Sequence, residues 1–206
     1  PAVPAEDPVQ YLSIRYSHPR WLVEQLLALL GREEAEEFLR LDNGSVPVTI
    51  QRNPLRCESG EALTAALAEA GANAVPHPWL PDCWAVSGAG NLEELDAFKS
   101  GLFQVQDAAA KAAVLAAGAE PGNRVLDVCA APGGKSFAAA MAMGNRGEIV
   151  SCDIHPHKLA LIEKSAQRLG ISCITTALQD GRENREEWND SFDLVLCDVP
   201  CSGLGI

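Results

Sequence analysis

Leu126-Asp127-Val128-Cys129-Ala130-Ala131-Pro132-Gly133-Gly134-Lys135-Ser136 joins a short apolar run at 124–128 to a helical stretch at 135–143. Strand, glycine loop and helix in that order open a parallel α/β unit, in which ligands bind beyond the carboxyl ends of the strands. Small residues let the backbone approach a ligand closely, and a helix that begins on them presents unpaired N–H groups. Downstream the alternation repeats: strand 148–152, helix 156–169 stopped by Gly170, strand 171–178, a short polar helix, and strand 192–197. Strands separated by helices must run parallel, so the expected fold class is α/β with a doubly wound, Rossmann-like sheet.

Upstream the pattern changes. Residues 1–16, with Pro1, Pro4 and Pro8 and little periodicity, read as a linker. Trp21, Leu22, Leu26, Leu29 and Leu30 recur at helical spacing behind Pro19, and Gly31 suits a stop before a second, acidic helix at 33–41. An alternating, β-branched run at 46–51 reads as a strand, Ser59 caps a helix that ends before Gly71, and 82–86 reads as a further strand. A short helix at 92–98, an extended stretch at 102–106 and an Ala-rich helix at 108–117 behind Asp107 follow. The implied organisation is a linker (1–16), a small α+β domain (17–98) and a Rossmann-like domain (99–206), with the boundary near 98–107.

The 206 residues are 47% hydrophobic and 21% charged, a balance that excludes disorder and coiled coil as the main state. No apolar run approaches the ~18–20 residues a bilayer span needs. The net charge of -12 argues by itself against nucleic acid, whose phosphates are bound by Lys and Arg. A local basic face can survive within an acidic protein, and Arg52 and Arg56 are candidate phosphate contacts. The seven cysteines form no CxxC pair, so no metal site is expected, and their place in apolar runs fits a reduced, cytoplasmic protein. His155 and His157 read as surface or capping residues.

Three cofactor readings compete for the glycine loop. A phosphate-binding loop of the form GxxxxGK[ST] is completed by Gly134-Lys135-Ser136 but has Cys129 at its first glycine position. The dinucleotide pattern GxGxxG is absent. S-adenosylmethionine carries a carboxylate, an ammonium, a sulfonium and a ribose diol without phosphate, and wants backbone donors and strand-end acids. Asp153 ends the second strand, at the spacing that places an acid on a ribose. Asp180 ends the third, within reach of an adenine amino group, and Asp198 ends the fourth, near the ammonium and sulfonium. Each Asp alone reads sooner as a helix cap or a solvated loop acid; the ordered set reverses that preference and suits a cationic cofactor. Asp198-Val199-Pro200-Cys201 then places an acid, a rigid turn and a thiol at the cleft rim, where an isolated Cys is more often a small buried residue.

CAAPGGKS at 129–136 together with DVPCSGLG at 198–205 resembles the Sun/Nop-type RNA cytosine-C5 methyltransferases, in particular their bacterial 16S ribosomal RNA branch. Tyr16-Ser17-His18-Pro19, the Pro47-to-Asn53 segment and the Val-Gln-Asp ending at Asp107 are similar to that family's upstream segments, so the resemblance runs from Tyr16 to Ile206. It implies that Cys129, Ala130, Ala131, Pro132, Gly133, Gly134 and Lys135 form the S-adenosylmethionine loop, completed by Asp153, Asp180 and Asp198. It also implies that Cys201 assists release of methylated RNA and that Asp198 stands near the target cytosine. In the family's reaction a thiolate adds to C6 of cytosine, C5 takes the methyl group, and the C5 proton and the thiol then leave. The target base must leave its stack. The family's attacking cysteine belongs to a later Thr-Cys-Ser motif, expected beyond Ile206, and the chain starts at Pro1, so the reading is of a fragment that does not complete the reaction. A transfer-RNA substrate and a non-catalytic RNA or protein platform remain the alternatives; the RNA partner implied is 16S ribosomal RNA.

Overall fold

The structure, a computed structural model, describes residues 7–44 and 47–201. These form two compact units that divide between Gly44 and Pro47. Residues 1–6 of the expected linker, the first residue of the 46–51 strand and the end of the second motif (202–205) lie outside the described residues.

The first unit is helical. Helix α1 (Pro8–Tyr16) begins on Asp7, whose Oδ1 accepts from the Val9 and Gln10 N–H groups at 3.0 and 3.1 Å, with Pro8 in the first turn. Most of the expected linker is therefore a helix. Asp7 supplies the cap and Pro8 fits where no N–H is needed. Helix α2 (Arg20–Asp42) is broken at Gly31, where φ +77° and ψ 178° leave the helical region. Val23 and Leu26 before that break, and Ala35 and Leu39 after it, bury against Leu12. The two helices expected around Gly31 are present, and they pack with α1.

The second unit holds two sheets. Strands β1 (Val48–Arg52), β2 (Asn73–Pro76), β3 (Cys83–Ser87) and β4 (Phe103–Val105) form an antiparallel sheet in the order β2-β3-β1-β4. Helix α3 (Gly60–Glu69), capped by Ser59, and the short α4 (Asp96–Lys99) accompany it, with Ile50, Leu63, Leu67, Trp84 and Phe103 in their common core. Strand β2 was not expected: four mostly exposed residues ending in Pro76 carry no apolar alternation, and it pairs only along β3, as suits an edge.

Strands β5 (Arg124–Asp127), β6 (Glu148–Asp153), β7 (Ile174–Leu178) and β8 (Leu194–Leu196) form the parallel sheet, in the order β7-β6-β5-β8. It is accompanied by α5 (Ala108–Ala117), α6 (Gly134–Ala142) and α7 (Pro156–Leu169). Ala138, Ala139 and Ala140 are buried together, which lets α6 lie close within a core that includes Val125, Ile149 and Ile162.

One side chain ties the two sheets. Asn53, fully buried at the end of β1, donates through Nδ2 to the Gly101 and Leu169 carbonyls, both at 2.8 Å, and accepts from the Leu55 N–H at 3.0 Å. Arg168 of α7 donates to the Phe98 and Phe103 carbonyls at 2.6 and 3.1 Å, with its guanidinium 3.7 Å from the Phe98 ring centre. Gly101 (φ +74°) passes so close that an added Cβ would sit 2.2 Å from the Arg168 carbonyl oxygen.

Candidate active site

In the order β7-β6-β5-β8 the chain leaves β5 to one side for β6 and β7, and returns to the other side for β8. The crevice beyond the carboxyl ends of two such strands is where open α/β sheets bind ligands. Here it receives the loop after β5 and Asp198 after β8. The loop is fixed by backbone bonds: Val128 N–H to the Leu196 carbonyl (2.9 Å), Ala130 N–H to the Cys152 carbonyl (2.8 Å) and Gly133 N–H to the Ala130 carbonyl (2.6 Å). Gly133 has φ +108°, and a Cβ there would stand 2.4 Å from the Phe137 ring, so only glycine makes this turn. No side chain caps the start of α6, leaving first-turn N–H groups available.

The cleft that results, about 210 Å³, is bounded by 105–107 and Ala110 on one side and by the loop, Asp127 and Asp198 on the other. Lys135 Nζ forms an ion pair with Asp198 across it, and the Asp198 side chain keeps 60% of its exposure. Asp127 is fully buried at the end of β5. Its Oδ2 accepts from Ser136 Oγ at 2.7 Å, which in turn lies 2.7 Å from Ser151 Oγ. Its Oδ1 has no partner at hydrogen-bonding geometry among the described residues. Burial pushes the Asp127 carboxyl up to about 6 and Asp198 adds to the rise; Ser136, Lys135 and the Cys129 N–H pull the other way. Burial, Cys197 and the acids Asp127, Asp153 and Asp198 also raise the Cys129 thiol, which disfavours its thiolate. With Asp127, Asp198 and Asp107 against Lys135, the cleft favours a cation.

Of the residues singled out from the sequence, Cys129, Ala130, Ala131, Pro132, Gly134, Lys135 and Asp198 meet at this cleft, and Gly133 forms the turn beneath it. Asp153 and Asp180 stand outside its lining. Asp153 Oδ1 accepts from the His155 N–H at 2.9 Å, and Lys158 Nζ is 3.8 Å from Oδ2. Asp180 is held by Arg182, Nη2 to Oδ2 at 2.6 Å, which lowers its carboxyl to about 2. Cys201 is exposed. Arg52 is not a free phosphate contact: it pairs with Asp82 at 2.8 Å and donates to the Cys57 carbonyl. The sequence reading passed over Asp127 and Gln106, both in the cleft wall. For Asp127 the available signal was parity, since it shares the buried face of β5 with Val125. Among the described residues no helix is long and apolar enough to cross a membrane, and no group of His, Cys, Asp or Glu has the arrangement of a metal site.

Comparison with known proteins bears on the fold and on the two sheets. Residues 113–206 match the family model described as 16S rRNA methyltransferase RsmB/F, and residues 18–93 match the ferredoxin-like domain of RsmF/B-like methyltransferases. The probable ribosomal RNA small subunit methyltransferase B of Bacillus subtilis (strain 168) is 35% identical over 202 residues, covering 98% of this chain and 45% of that protein. The Klebsiella pneumoniae methyltransferase B is 32% identical over 194 residues, covering 93% of this chain and 44% of its own length. The chain thus spans less than half the length of these curated relatives. Among solved structures, a methyltransferase homologue from Pyrococcus horikoshii superposes with a TM-score of 0.82 at 25% identity, over 93% of this chain and 62% of that one. NSun6 of the same organism, solved with SFG, gives a TM-score of 0.79 at 20% identity over 89% of this chain and 71% of its own, and shows the shared fold. An antiparallel ferredoxin-like sheet followed by a Rossmann-like parallel sheet, in the order of the two matched models, is the arrangement this chain shares with the RsmB/F methyltransferases.

Proposed function

We propose that the protein is an S-adenosylmethionine-dependent RNA (cytosine-C5) methyltransferase acting on 16S ribosomal RNA in the cytoplasm. The observation that carries this reading is the cleft at the β5/β8 crossover, where a glycine-turn loop and an uncapped helix start face the acids Asp127 and Asp198. The residues fit such a cofactor: buried Asp127 keeps an oxygen with no partner at hydrogen-bonding geometry among the described residues, and Gly133 leaves the loop floor free of a side chain. The same acids would repel a triphosphate.

In this reading residues 129–135 hold the donor's methionine end, Asp153 takes the ribose diol and Asp180 the adenine amino group. Asp180 must then share its carboxylate with Arg182 or exchange it. Bound there, S-adenosylmethionine supplies an electrophilic methyl group. Asp198 and Lys135 orient the target base at the cleft mouth, and Cys201, three residues further on, assists release of the product. The antiparallel sheet positions the RNA, with the division from the methyltransferase part near 98–107; the family matches at 18–93 and 113–206 support that division. The names of the Bacillus and Klebsiella relatives support ribosomal RNA as substrate. The thiols of Cys57, Cys83, Cys129, Cys152, Cys173 and Cys197, none in a disulfide, accord with a reducing compartment.

Calorimetric titration with S-adenosylmethionine and with ATP, followed by methyl transfer to 16S ribosomal RNA by the full-length protein, tests this reading. Binding of the sulfonium donor and labelling of cytosine C5 are expected. Binding of ATP alone would overturn it, and donor binding without transfer would favour a non-catalytic platform.

A further inference from the structure

Three glutamines are buried where an apolar core is expected: Gln51 on β1, Gln104 on β4 and Gln106 just after β4, at 5%, 3% and 6% exposure. Gln51 and Gln104 face each other in the β1–β4 register. Gln104 Nε2 donates to Gln51 Oε1 at 2.9 Å and to Gln106 Oε1 at 2.8 Å, and lies 3.5 Å from the Gly134 carbonyl. Gln106 Nε2 then donates to the Gly134 carbonyl, at 3.1 Å, in the first turn of α6. The base of this chain is fixed as well. The Gln106 N–H donates to the Thr49 carbonyl at 3.1 Å, and the Gln106 carbonyl accepts from Thr49 Oγ1 at 2.8 Å. Gln104 Oε1 is left without a donor among the described residues. A buried polar group with an unmet bond is costly, and a chain of buried amides fixes distance and direction in a way that leucines would not.

We propose that Gln51, Gln104 and Gln106 form a strut of buried amides through which the antiparallel sheet holds the donor loop and the start of α6 in register with the cleft. Gln104 and Gln106 are thus positioning residues for the donor, which rests on the function proposed above. The strut reaches the loop at Gly134, beside the Gly133 turn and next to Lys135, the partner of Asp198. It gives the ferredoxin-like sheet a direct mechanical connection to the donor site.

The test uses the full chain with Gln106→Met, Gln104→Met and the double variant, methionine keeping length and burial while removing the amide. Three quantities are read: the S-adenosylmethionine dissociation constant, the thermal midpoint, and hydrogen exchange of the 129–141 segment against that of α7. Gln106→Met is expected to weaken donor binding about tenfold, the scale of one positioned hydrogen bond. Exchange at 129–141 should quicken more than that of α7, with the midpoint falling by only a few degrees for the Gly134 carbonyl and Gln104 N–H left unpaired. The double variant should lose little more than Gln106→Met alone, because both residues belong to one chain of bonds. Parent-like affinity and exchange would overturn the strut, as would additive losses, or losses that only follow a falling midpoint. If the parent itself fails to bind S-adenosylmethionine, the donor reading falls, and the positioning role for the donor falls with it. The exchange measurement then reports whether the mechanical connection survives that loss.

Discussion

Replacing Asp127 by Asn isolates the electrostatic price of the buried carboxyl. An aspartate moved from 3.8 to about 6 on folding disfavours the folded state by about 3 kcal/mol once it is ionised in both states, at roughly 1.4 kcal/mol per pH unit. Because the folded value is the higher one, the sign is opposite to that of a salt-bridged acid. The folded protein holds this proton more tightly, so the contribution of Asp127 to stability is most favourable below pH 4 and declines as pH rises through about 6. About half of the effect falls between pH 5 and pH 8. Asn keeps an oxygen to accept the Ser136 hydroxyl and does not titrate. Urea unfolding of parent and variant at pH 5 and pH 8 gives four stabilities. The variant's advantage is expected to grow by about 1.5 kcal/mol from pH 5 to pH 8, while effects of groups that both proteins share cancel. Lys135 and Asp198 act on Asp127 in opposite directions, so Lys135→Met should widen the difference. A gap that stays constant with pH, or shrinks, would refute the assignment of a buried, proton-retaining carboxyl at the end of β5.

Three further outcomes are expected. Gly133→Ala combines a left-handed backbone with a Cβ driven into the Phe137 ring, and should cost about 2–4 kcal/mol in chemical unfolding and abolish donor binding; a cost below about 1 kcal/mol would contradict the turn. Asn53→Ala orphans the Gly101 and Leu169 carbonyls and should destabilise by about 3 kcal/mol, read as a lower urea midpoint. Arg182→Ala should move the Asp180 carboxyl, followed by its side-chain carbon resonance, from about 2 up toward the ordinary aspartate range near 4; an unmoved titration would show that Arg182 is not its cause.

The parallel sheet was legible because each of its strands is an apolar run closed by a polar or glycine turn, and each crossover helix has its own stop, as at Gly170. Gly31 announced its break for the same local reason. The elements missed depend on partners distant in sequence. Strand β2 has no apolar face of its own and exists through its pairing with β3. Helix α1 looked like a linker because its cap, Asp7, stands among prolines, and its single buried anchor, Leu12, shows only against α2. At the site, the loop and Asp198 could be placed from spacing, since backbone geometry sets where the residues directly after a strand must lie. Asp127 could be found only by its parity with Val125, and the three glutamines not at all: their burial arises where the antiparallel sheet meets the start of α6, and a polar residue in a strand ordinarily points to water.

The shared grip of Asn53 on Gly101 and Leu169 has a kinetic corollary. With one amide clasping a turn from each sheet, and the Arg168 guanidinium locked over Phe98 beside it, the pair behaves as a fixed anvil and not as jaws on a hinge. Movement on such a frame is confined to the loops that border the crevice, and variants that retune the site without loosening either sheet are to be sought there.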